Sequence, residues 1–317
     1  MTETTSTPGS RFVDIPFTAR DGLRLHGRRY PAAATPSKSR QTFHPRRPVV
    51  CLPGLTRNGR DFHELAVHLS SDAAAPRDVY TIDYRGRGLS DFDPDWKNYA
   101  IPIEMLDVMD FLVFCGIHDV GVIGTSRGGL IAMVMAAAQP STIGALVLND
   151  IGPVIEAQGL LKIAGYVGRA PLPATWADAT KLVRDLFQNQ FTSVADSDWE
   201  PIARQLFNET NSRPAPGYDP KLARSLSVLD GPIPALWPQF QATKRVPLLV
   251  IRGENSDLLS PQTVDEMRRR HPRCWHLNIA GEGHAPLLRD ARSKAAIAEF
   301  LALADAGPTA DGKQSAG

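Results

Sequence analysis

The most diagnostic segment of the sequence is Val120-Gly-Val-Ile-Gly-Thr-Ser-Arg-Gly128, which joins an apolar strand-like run to a helix-like run over residues 130–138. A strand, a tight turn and a helix in this order form the context that a nucleophile elbow requires. The turn is so tight that the residues two before and two after Ser126 must lack bulk, which accounts for Gly124 and Gly128. The segment therefore predicts a serine hydroxyl at the edge of a sheet, with the N–H of Arg127 aimed at the same point.

Two partners of this serine are expected further along the chain. A serine hydroxyl is a poor nucleophile near neutral pH, so a histidine must take its proton and a carboxylate must hold that histidine. Asp257 follows a buried strand-like run at residues 246–251. His284 follows a second strand, predicted at residues 274–279. Because open α/β sheets build their sites at the carboxyl ends of strands, Ser126, Asp257 and His284 are expected to meet there.

Five motifs carry a resemblance to the α/β-hydrolase superfamily, and it covers roughly residues 11–303. They are Leu52-Pro-Gly-Leu55, Asp83-Tyr-Arg-Gly-Arg-Gly-Leu-Ser-Asp91, the elbow at Ser126, Gly253-Glu-Asn-Ser-Asp257 and Gly281-Glu-Gly-His-Ala-Pro286. The resemblance implies an α/β fold, with a mostly parallel doubly wound sheet, an N-terminal antiparallel hairpin and a helical cap. It also implies an oxyanion hole made by the backbone N–H groups of Leu55 and Arg127.

One motif departs from the pattern of many relatives, which have His-Gly where this chain has Pro53-Gly54. Because the oxyanion donor at this position is a backbone N–H, Leu55 can still supply it. The pairing that the family's histidine makes is lost.

The order of apolar runs predicts one domain interrupted by an insertion. Residues 11–30 read as a hairpin that turns at Asp21-Gly22. Residues 152–240 carry helical patterns and many prolines but no strand-like run, which predicts a helical cap or lid. The predicted division is a disordered N-terminus at 1–10, the first part of the core at 11–151, the cap at 152–240, the second part of the core at 241–303 and a disordered tail at 304–317.

The sequence offers a second candidate for the acid that holds His284. Asp150 follows the strand-like run at residues 144–148, where some members of the superfamily carry their acid. Glu254 lies in the same loop as Asp257, and the resemblance gives it a helper role. Asp257 is the predicted acid and Asp150 the alternative.

Two further residues are candidates for contact with the substrate. The Arg127 side chain is bulkier and more polar than relatives often place beside the nucleophile, which leaves two interpretations: a salt bridge to the cap, or a bidentate pair with a substrate carboxylate. Trp237 belongs to a group of cap aromatics, most of which are expected to form the cap core while some line the acyl pocket. Arg85 and Arg87 are expected to form structural salt bridges.

Composition is consistent with a globular enzyme. The chain has 317 residues, 43% of them hydrophobic, and a net charge of +1, which gives no electrostatic reason to expect nucleic acid or a membrane surface as a partner. The three cysteines are expected to be free thiols. The N-terminus lacks the apolar core of a secretory signal, and no apolar stretch is long enough to span a membrane, so a cytoplasmic location is expected.

The predicted reaction is hydrolysis of a small carboxylic ester through an acyl-enzyme, with no cofactor and no metal. A small-molecule substrate is the expected partner, and both a monomer and a homo-oligomer remain open. The same residues also support C–C bond hydrolysis of the meta-cleavage type, lactone opening and hydrolysis of hydroxyalkanoate oligomers. The elbow lacks the Asn-Ser-Met pattern common in the meta-cleavage group. A non-catalytic ligand receptor on the same fold is the alternative from a different class.

Overall fold

An eight-stranded sheet forms the centre of the molecule. The computed structural model describes residues 11–34, 46–169, 171–226 and 234–307. The strands of this sheet are β1 (Val13–Thr18), β2 (Arg24–Tyr30), β3 (Val49–Leu52), β4 (Val79–Asp83), β5 (Val120–Thr125), β6 (Ile143–Asn149), β9 (Leu248–Gly253) and β10 (Cys274–Ile279). Their spatial order is β1-β2-β4-β3-β5-β6-β9-β10, and all neighbours from β4 to β10 are parallel.

The predicted N-terminal hairpin is present and joins the parallel strands. β1 pairs antiparallel with β2, and β2 in turn pairs antiparallel with β4. Gly22 in the turn has a φ of 90°, a conformation that glycine adopts without steric cost. The predicted fold class is confirmed.

Helices cover the two faces of the sheet. They are α1 (His63–Ser71), α2 (Ile101–Cys115), α3 (Arg127–Ala138), α9 (Pro261–Arg270) and α10 (Ala291–Asp305). Successive residues of a strand point to opposite faces, so Val50 and Leu52 pack in the cluster that contains α2, α3 and α9, while Val49 and Cys51 pack in the cluster that contains α1 and α10. Burial on both faces explains why the central strands β3, β5 and β6 are mainly apolar.

The segment between β6 and β9, hereafter the insertion (residues 152–240), is mainly helical. It contains α4 (Ala157–Tyr166), α5 (Trp176–Phe187), α6 (Trp199–Leu206), α7 (Ala223–Leu226) and most of α8 (Trp237–Ala242). It also contains β7 (Asn208–Thr210) and β8 (Arg213–Ala215), a short antiparallel pair that the sequence did not indicate. Three residues are too few to show a period-2 pattern in the sequence.

The chain ends are only partly described. Residues 1–10 and 308–317, which were predicted to be disordered, lie outside the described ranges. The tail was predicted to begin at residue 304, but α10 continues to Asp305. Among the described residues, no helix has both the length and the apolar character needed to cross a membrane.

Candidate active site

The elbow places Ser126 in a strained conformation between β5 and α3. Its φ of 51° and ψ of −114° are unusual for a residue with a side chain. A Cβ at Gly124 would lie 2.6 Å from the backbone N of Gly129, and a Cβ at Gly128 would lie 2.1 Å from the carbonyl oxygen of Leu52. Both glycines are therefore required by close backbone contacts, for the reason that the sequence suggested.

His284 lies on the loop between β10 and α10 and contacts the serine. Its Nε2 is 2.8 Å from Ser126 Oγ, so the predicted contact between these two residues is present. Its Nδ1 is 2.7 Å from Asp150 Oδ2. Ser126, His284 and Asp150 thus form one continuous hydrogen-bonded chain.

Asp150 is the residue that follows β6, and the structure holds it firmly. Its side chain is 0% exposed. Asp150 Oδ1 accepts a hydrogen bond from the N–H of Gly253 at 2.9 Å, and Oδ2 accepts one from the hydroxyl of Ser256 at 2.5 Å. The backbone has a φ of 55°, and the Asp150 N–H donates to the carbonyl of Ile251 at 2.8 Å. A buried carboxylate with these donors can fix the orientation of the imidazole.

The prediction that Asp257 holds His284 was wrong. Asp257 Oδ2 accepts hydrogen bonds from Lys162 Nζ at 2.5 Å and from Gln190 Nε2 at 2.7 Å, and both donors belong to the insertion. The loop after β9 instead directs Ser256, one residue earlier, at Asp150. The alternative named from the sequence is therefore the residue that the structure places against the histidine.

Two residues that sequence reasoning did not single out support this arrangement. Ser256 bonds Asp150, and its Oγ also accepts from the N–H groups of Leu258 and Leu259, at 3.3 Å and 3.2 Å. Asn149 Nδ2 donates to Thr125 Oγ1 at 3.0 Å and to the carbonyl of Pro286 at 2.9 Å, which links the elbow to the histidine loop. The sequence marks these two residues only by their position: Ser256 directly precedes Asp257, and Asn149 directly precedes Asp150.

Glu254 has the supporting position that the resemblance implied. Its Oε2 accepts a hydrogen bond from the N–H of Gly281 at 2.9 Å, and its own N–H donates to the carbonyl of Ile279 at 2.8 Å. These bonds tie the loop after β9 to the loop that carries His284.

The backbone around the serine leaves two N–H groups free. Within the described residues, the N–H groups of Leu55 and Arg127 make no hydrogen bond. Leu55 lines the same cavity as Ser126, and Arg127 is the first residue of α3. An N–H at a helix N-terminus, where the helix dipole is positive, favours negative charge.

The side chain of Arg127 contradicts both of its sequence-based interpretations. Its Nε donates to Glu104 Oε2 at 2.5 Å and its Nη2 donates to the carbonyl of Tyr99 at 2.9 Å, so its partners lie in α2 and the loop before it. It neither pairs with the insertion nor lines the cavity. A sequence gives no direct sign that Glu104, near the start of a helix, is fully buried.

Glu104 links Arg127 to Arg87, which is fully buried. Arg87 Nη1 donates to Glu104 Oε1 at 2.6 Å, and Arg87 Nε donates to the carbonyl of Leu55 at 2.8 Å. Burial alone would raise the pKa of Glu104, but the charges of Arg127 and Arg87 outweigh it and lower the pKa. The network joins the two residues whose N–H groups are free beside Ser126. Arg87 thus has a structural salt bridge, as predicted, and so does Arg85, which pairs with Asp107 at 2.6 Å.

A cavity of about 110 Å³ opens beside Ser126 and His284. Four aromatic side chains of the insertion line it, together with aliphatic residues and a few polar ones. The aromatics are Tyr166, Phe187, Phe191 and Trp199. Trp237, which was predicted as a possible contact, is not among the lining residues; it packs on Phe240 and beneath the guanidinium of Arg270.

The parallel sheet, the strained serine between β5 and α3, and the histidine on the last loop together define an α/β fold with a serine elbow. The chain belongs to the alpha/beta hydrolase family, whose model matches residues 49–299. The recognition of the superfamily from the sequence is thus confirmed.

Several relatives are named as hydrolases or esterases. The chain is 30% identical over 269 residues to the 3-hydroxybutyrate-oligomer hydrolase of Cupriavidus necator, which covers 80% of this chain and 88% of that protein. It is 26% identical to Esterase YbfF of Escherichia coli, over 78% of this chain and 90% of that protein. A crystal structure of an alpha/beta hydrolase from Novosphingobium aromaticivorans superposes with a TM-score of 0.82 at 38% identity, over 92% of this chain and 99% of that one. The chain is thus an α/β-hydrolase with hydrolase and esterase relatives.

Proposed function

We propose that the chain is a serine hydrolase that cleaves a small carboxylic ester through an acyl-enzyme. The observation that carries the proposal is the hydrogen-bonded chain from Ser126 through His284 to Asp150, which opens into a mainly apolar cavity. Such a chain combines a nucleophile, a base and the group that orients the base.

The proposed mechanism assigns one role to each residue. Ser126 Oγ attacks the ester carbonyl while His284 Nε2 takes its proton, and His284 then gives that proton to the departing alcohol. Asp150 keeps Nδ1 protonated and stabilises the imidazolium that forms. Water attacks the acyl-enzyme in the second half of the reaction, with His284 again acting as the base.

The negative oxygen of the tetrahedral intermediate is assigned to the N–H groups of Leu55 and Arg127. Both are free within the described residues. Loss of one such donor typically costs about 3–4 kcal/mol of transition-state stabilisation. The Arg127 side chain has no direct part in this step, since its guanidinium is bound to Glu104.

The insertion is proposed to act as a cap that selects the substrate. Its aromatic residues line the cavity beside Ser126, so an acyl chain bound there would pack against Phe187 and Trp199. A mainly apolar wall with few polar groups is typical of small-molecule sites.

A hydroxyalkanoate oligomer is the second candidate substrate. The observation in its favour is the similarity to the 3-hydroxybutyrate-oligomer hydrolase of Cupriavidus necator, at 30% identity over most of both chains. Such an oligomer is itself a carboxylic ester, so the proposed chemistry at Ser126 is unchanged.

A fluorophosphonate probe followed by a substrate screen tests the proposal. The wild-type protein is expected to be labelled on Ser126 and to hydrolyse p-nitrophenyl esters of short acids, and lactones and hydroxybutyrate oligomers are screened beside them. A protein that is not labelled and hydrolyses none of these compounds would favour the ligand receptor over the enzyme.

A further inference from the structure

An ion pair stands in the wall of the cavity, where most of the lining is apolar. Arg57 and Asp61 both line the cavity, and their side chains are 19% and 17% exposed. Arg57 Nε donates to Asp61 Oδ2 at 2.6 Å, and Nη2 donates to Oδ1 at 2.7 Å. Nη1 makes no hydrogen bond to any residue in the described ranges. The proposed ester hydrolysis assigns this pair no role.

The pair lies close to the proposed nucleophile. A Cβ built on Gly54 would be 3.4 Å from Arg57 Cγ and 3.8 Å from Ser126 Cβ, so these two side chains flank the same glycine. Arg57 also belongs to the loop that carries the free N–H of Leu55. A substrate group that binds to the pair would therefore belong to the part of the substrate that carries the reacting carbonyl.

The charges of the pair decide which group fits. Burial alone would lower the pKa of Arg57, but Asp61 outweighs it and the pKa is raised, so the guanidinium stays charged. A carboxylate placed here would be attracted by Arg57 and repelled by Asp61. A hydroxyl accepts one hydrogen bond and donates another, so it can accept from Arg57 Nη1 and donate to Asp61. Burial raises the pKa of the neighbouring Tyr166 phenol to about 12, so Tyr166 is neutral and adds no charge beside the pair.

We propose that Arg57 and Asp61 form a hydroxyl subsite, and that the enzyme prefers esters whose acyl chain carries a hydroxyl close to the scissile carbonyl. The inference rests on the proposed ester hydrolysis at Ser126 and adds the class of acyl group and the residues that select it. A site built to bond a hydroxyl discriminates strongly against an analogue that lacks it, because its polar groups are then left unpaired.

Four ethyl esters, followed by proton release on the purified wild-type protein, test the subsite. They are ethyl 3-hydroxybutyrate (each enantiomer separately), ethyl butyrate, ethyl 3-methoxybutyrate and monoethyl succinate. The better hydroxy ester is expected to exceed ethyl butyrate in kcat/KM by roughly tenfold to a hundredfold. The methoxy ester cannot donate to Asp61 and is expected to lose most of that advantage. Equal values for the hydroxy ester and ethyl butyrate would overturn the subsite, and so would a preference for monoethyl succinate.

Two variants make the same test on the protein side. Arg57→Met removes the donor, and the ratio of hydroxy ester to ethyl butyrate is expected to fall to near one. Asp61→Asn leaves the guanidinium charge unbalanced, so monoethyl succinate is expected to gain about tenfold relative to ethyl butyrate. A purely structural ion pair would lower all four rates together and leave their ratios unchanged, which would contradict the proposal.

A matched control separates these outcomes from general damage. Lys181 and Asp185 form another ion pair four residues apart, on the exposed face of α5, and Lys181→Met is expected to leave every ratio unchanged. If Arg57→Met or Asp61→Asn fails to fold, as judged by thermal melting, the wild-type rates on the four esters decide alone. A wild-type protein that the fluorophosphonate labels on Ser126 but that ignores the hydroxyl would refute the subsite and leave the proposed hydrolase intact. A protein that shows neither labelling nor hydrolysis would refute both.

Discussion

The carboxyl edge of the sheet and the insertion meet at the cavity, but different interactions stabilise them. At the sheet edge, Asp150 and Glu104 are fully buried, and each is held by several hydrogen bonds. Among the described residues of the insertion, most charged side chains are exposed: Lys162 is 56% exposed and Lys181 is 76% exposed, with Asp219 a buried exception. Removing one partner of a buried ion pair is costly, whereas exposed pairs contribute little. We infer that the proposed chemistry is fixed by the sheet edge, while the insertion can change its substrate preference at small cost in stability.

The largest effect is expected from the serine and the histidine. Ser126→Ala is expected to reduce ester hydrolysis by about five to six orders of magnitude, and His284→Ala by a similar factor, because such residues act as a unit. Rates on the best p-nitrophenyl ester and labelling by the fluorophosphonate are the measurements. Thermal melting serves as the control for folding. Near wild-type turnover by either variant would be incompatible with the mechanism.

The next effect compares the two aspartates at neighbouring strand ends. Asp150→Asn is expected to lower kcat by about four orders of magnitude, because the asparagine favours the wrong tautomer of His284. Asp257→Asn is its matched control and is expected to leave kcat within severalfold, since Asp257 bonds only Lys162 and Gln190 among the side chains described. If the two variants exchanged these results, the acid would be Asp257, and the orientation of the loop after β9 would have to change.

This pair of aspartates also marks the limit of what the sequence could predict. The central strands were found because buried parallel strands are short, mainly apolar runs. Ser126 was found because it follows such a run, and His284 because it follows a further strand-like run at residues 274–279. The choice between Asp150 and Asp257 depends on which way each side chain turns after its strand. That direction depends on a φ of 55° at Asp150 and on the hydrogen bond from Ser256, and neither follows from residue type.

Arg127 and Trp237 were misjudged for related physical reasons. The partner of Arg127 is Glu104, near the start of α2, and nothing in the sequence marks Glu104 as buried, so this pairing could not be expected. Trp237 was grouped with the insertion by its position in the chain, but α8 packs against α3, away from the cavity. In both cases, contacts between elements distant in the chain decided the outcome.

Removal of the buried charge at Glu104 tests how firmly the sheet edge is held. Glu104→Gln leaves Arg87 and Arg127 without their shared partner, and we expect a loss of about 3–5 kcal/mol in the free energy of unfolding. Because the pKa of Glu104 is lowered in the folded state, its contribution is present above its ordinary pKa of 4.5 and is lost as the pH falls through the lowered pKa. The difference in Tm between wild type and variant should therefore be constant from pH 8 to pH ~5 and shrink in more acidic solution. A difference that grew on acidification would contradict the assigned ionisation of Glu104.

The smallest effect is expected where the insertion touches the sheet edge through an exposed pair. Lys162 Nζ lies 2.5 Å from Asp257 Oδ2, but the lysine side chain is 56% exposed, so solvent screens the attraction. Lys162→Met is expected to cost less than about 1 kcal/mol in the free energy of unfolding and to leave kcat unchanged. Because Gln190 also bonds Asp257, the contact between insertion and loop persists in the variant. Chemical denaturation at low and high salt measures the cost, and the small difference from wild type should vanish at high salt. A loss as large as that of Glu104→Gln would show that the insertion is held as firmly as the sheet edge, and the contrast between the two regions would fail.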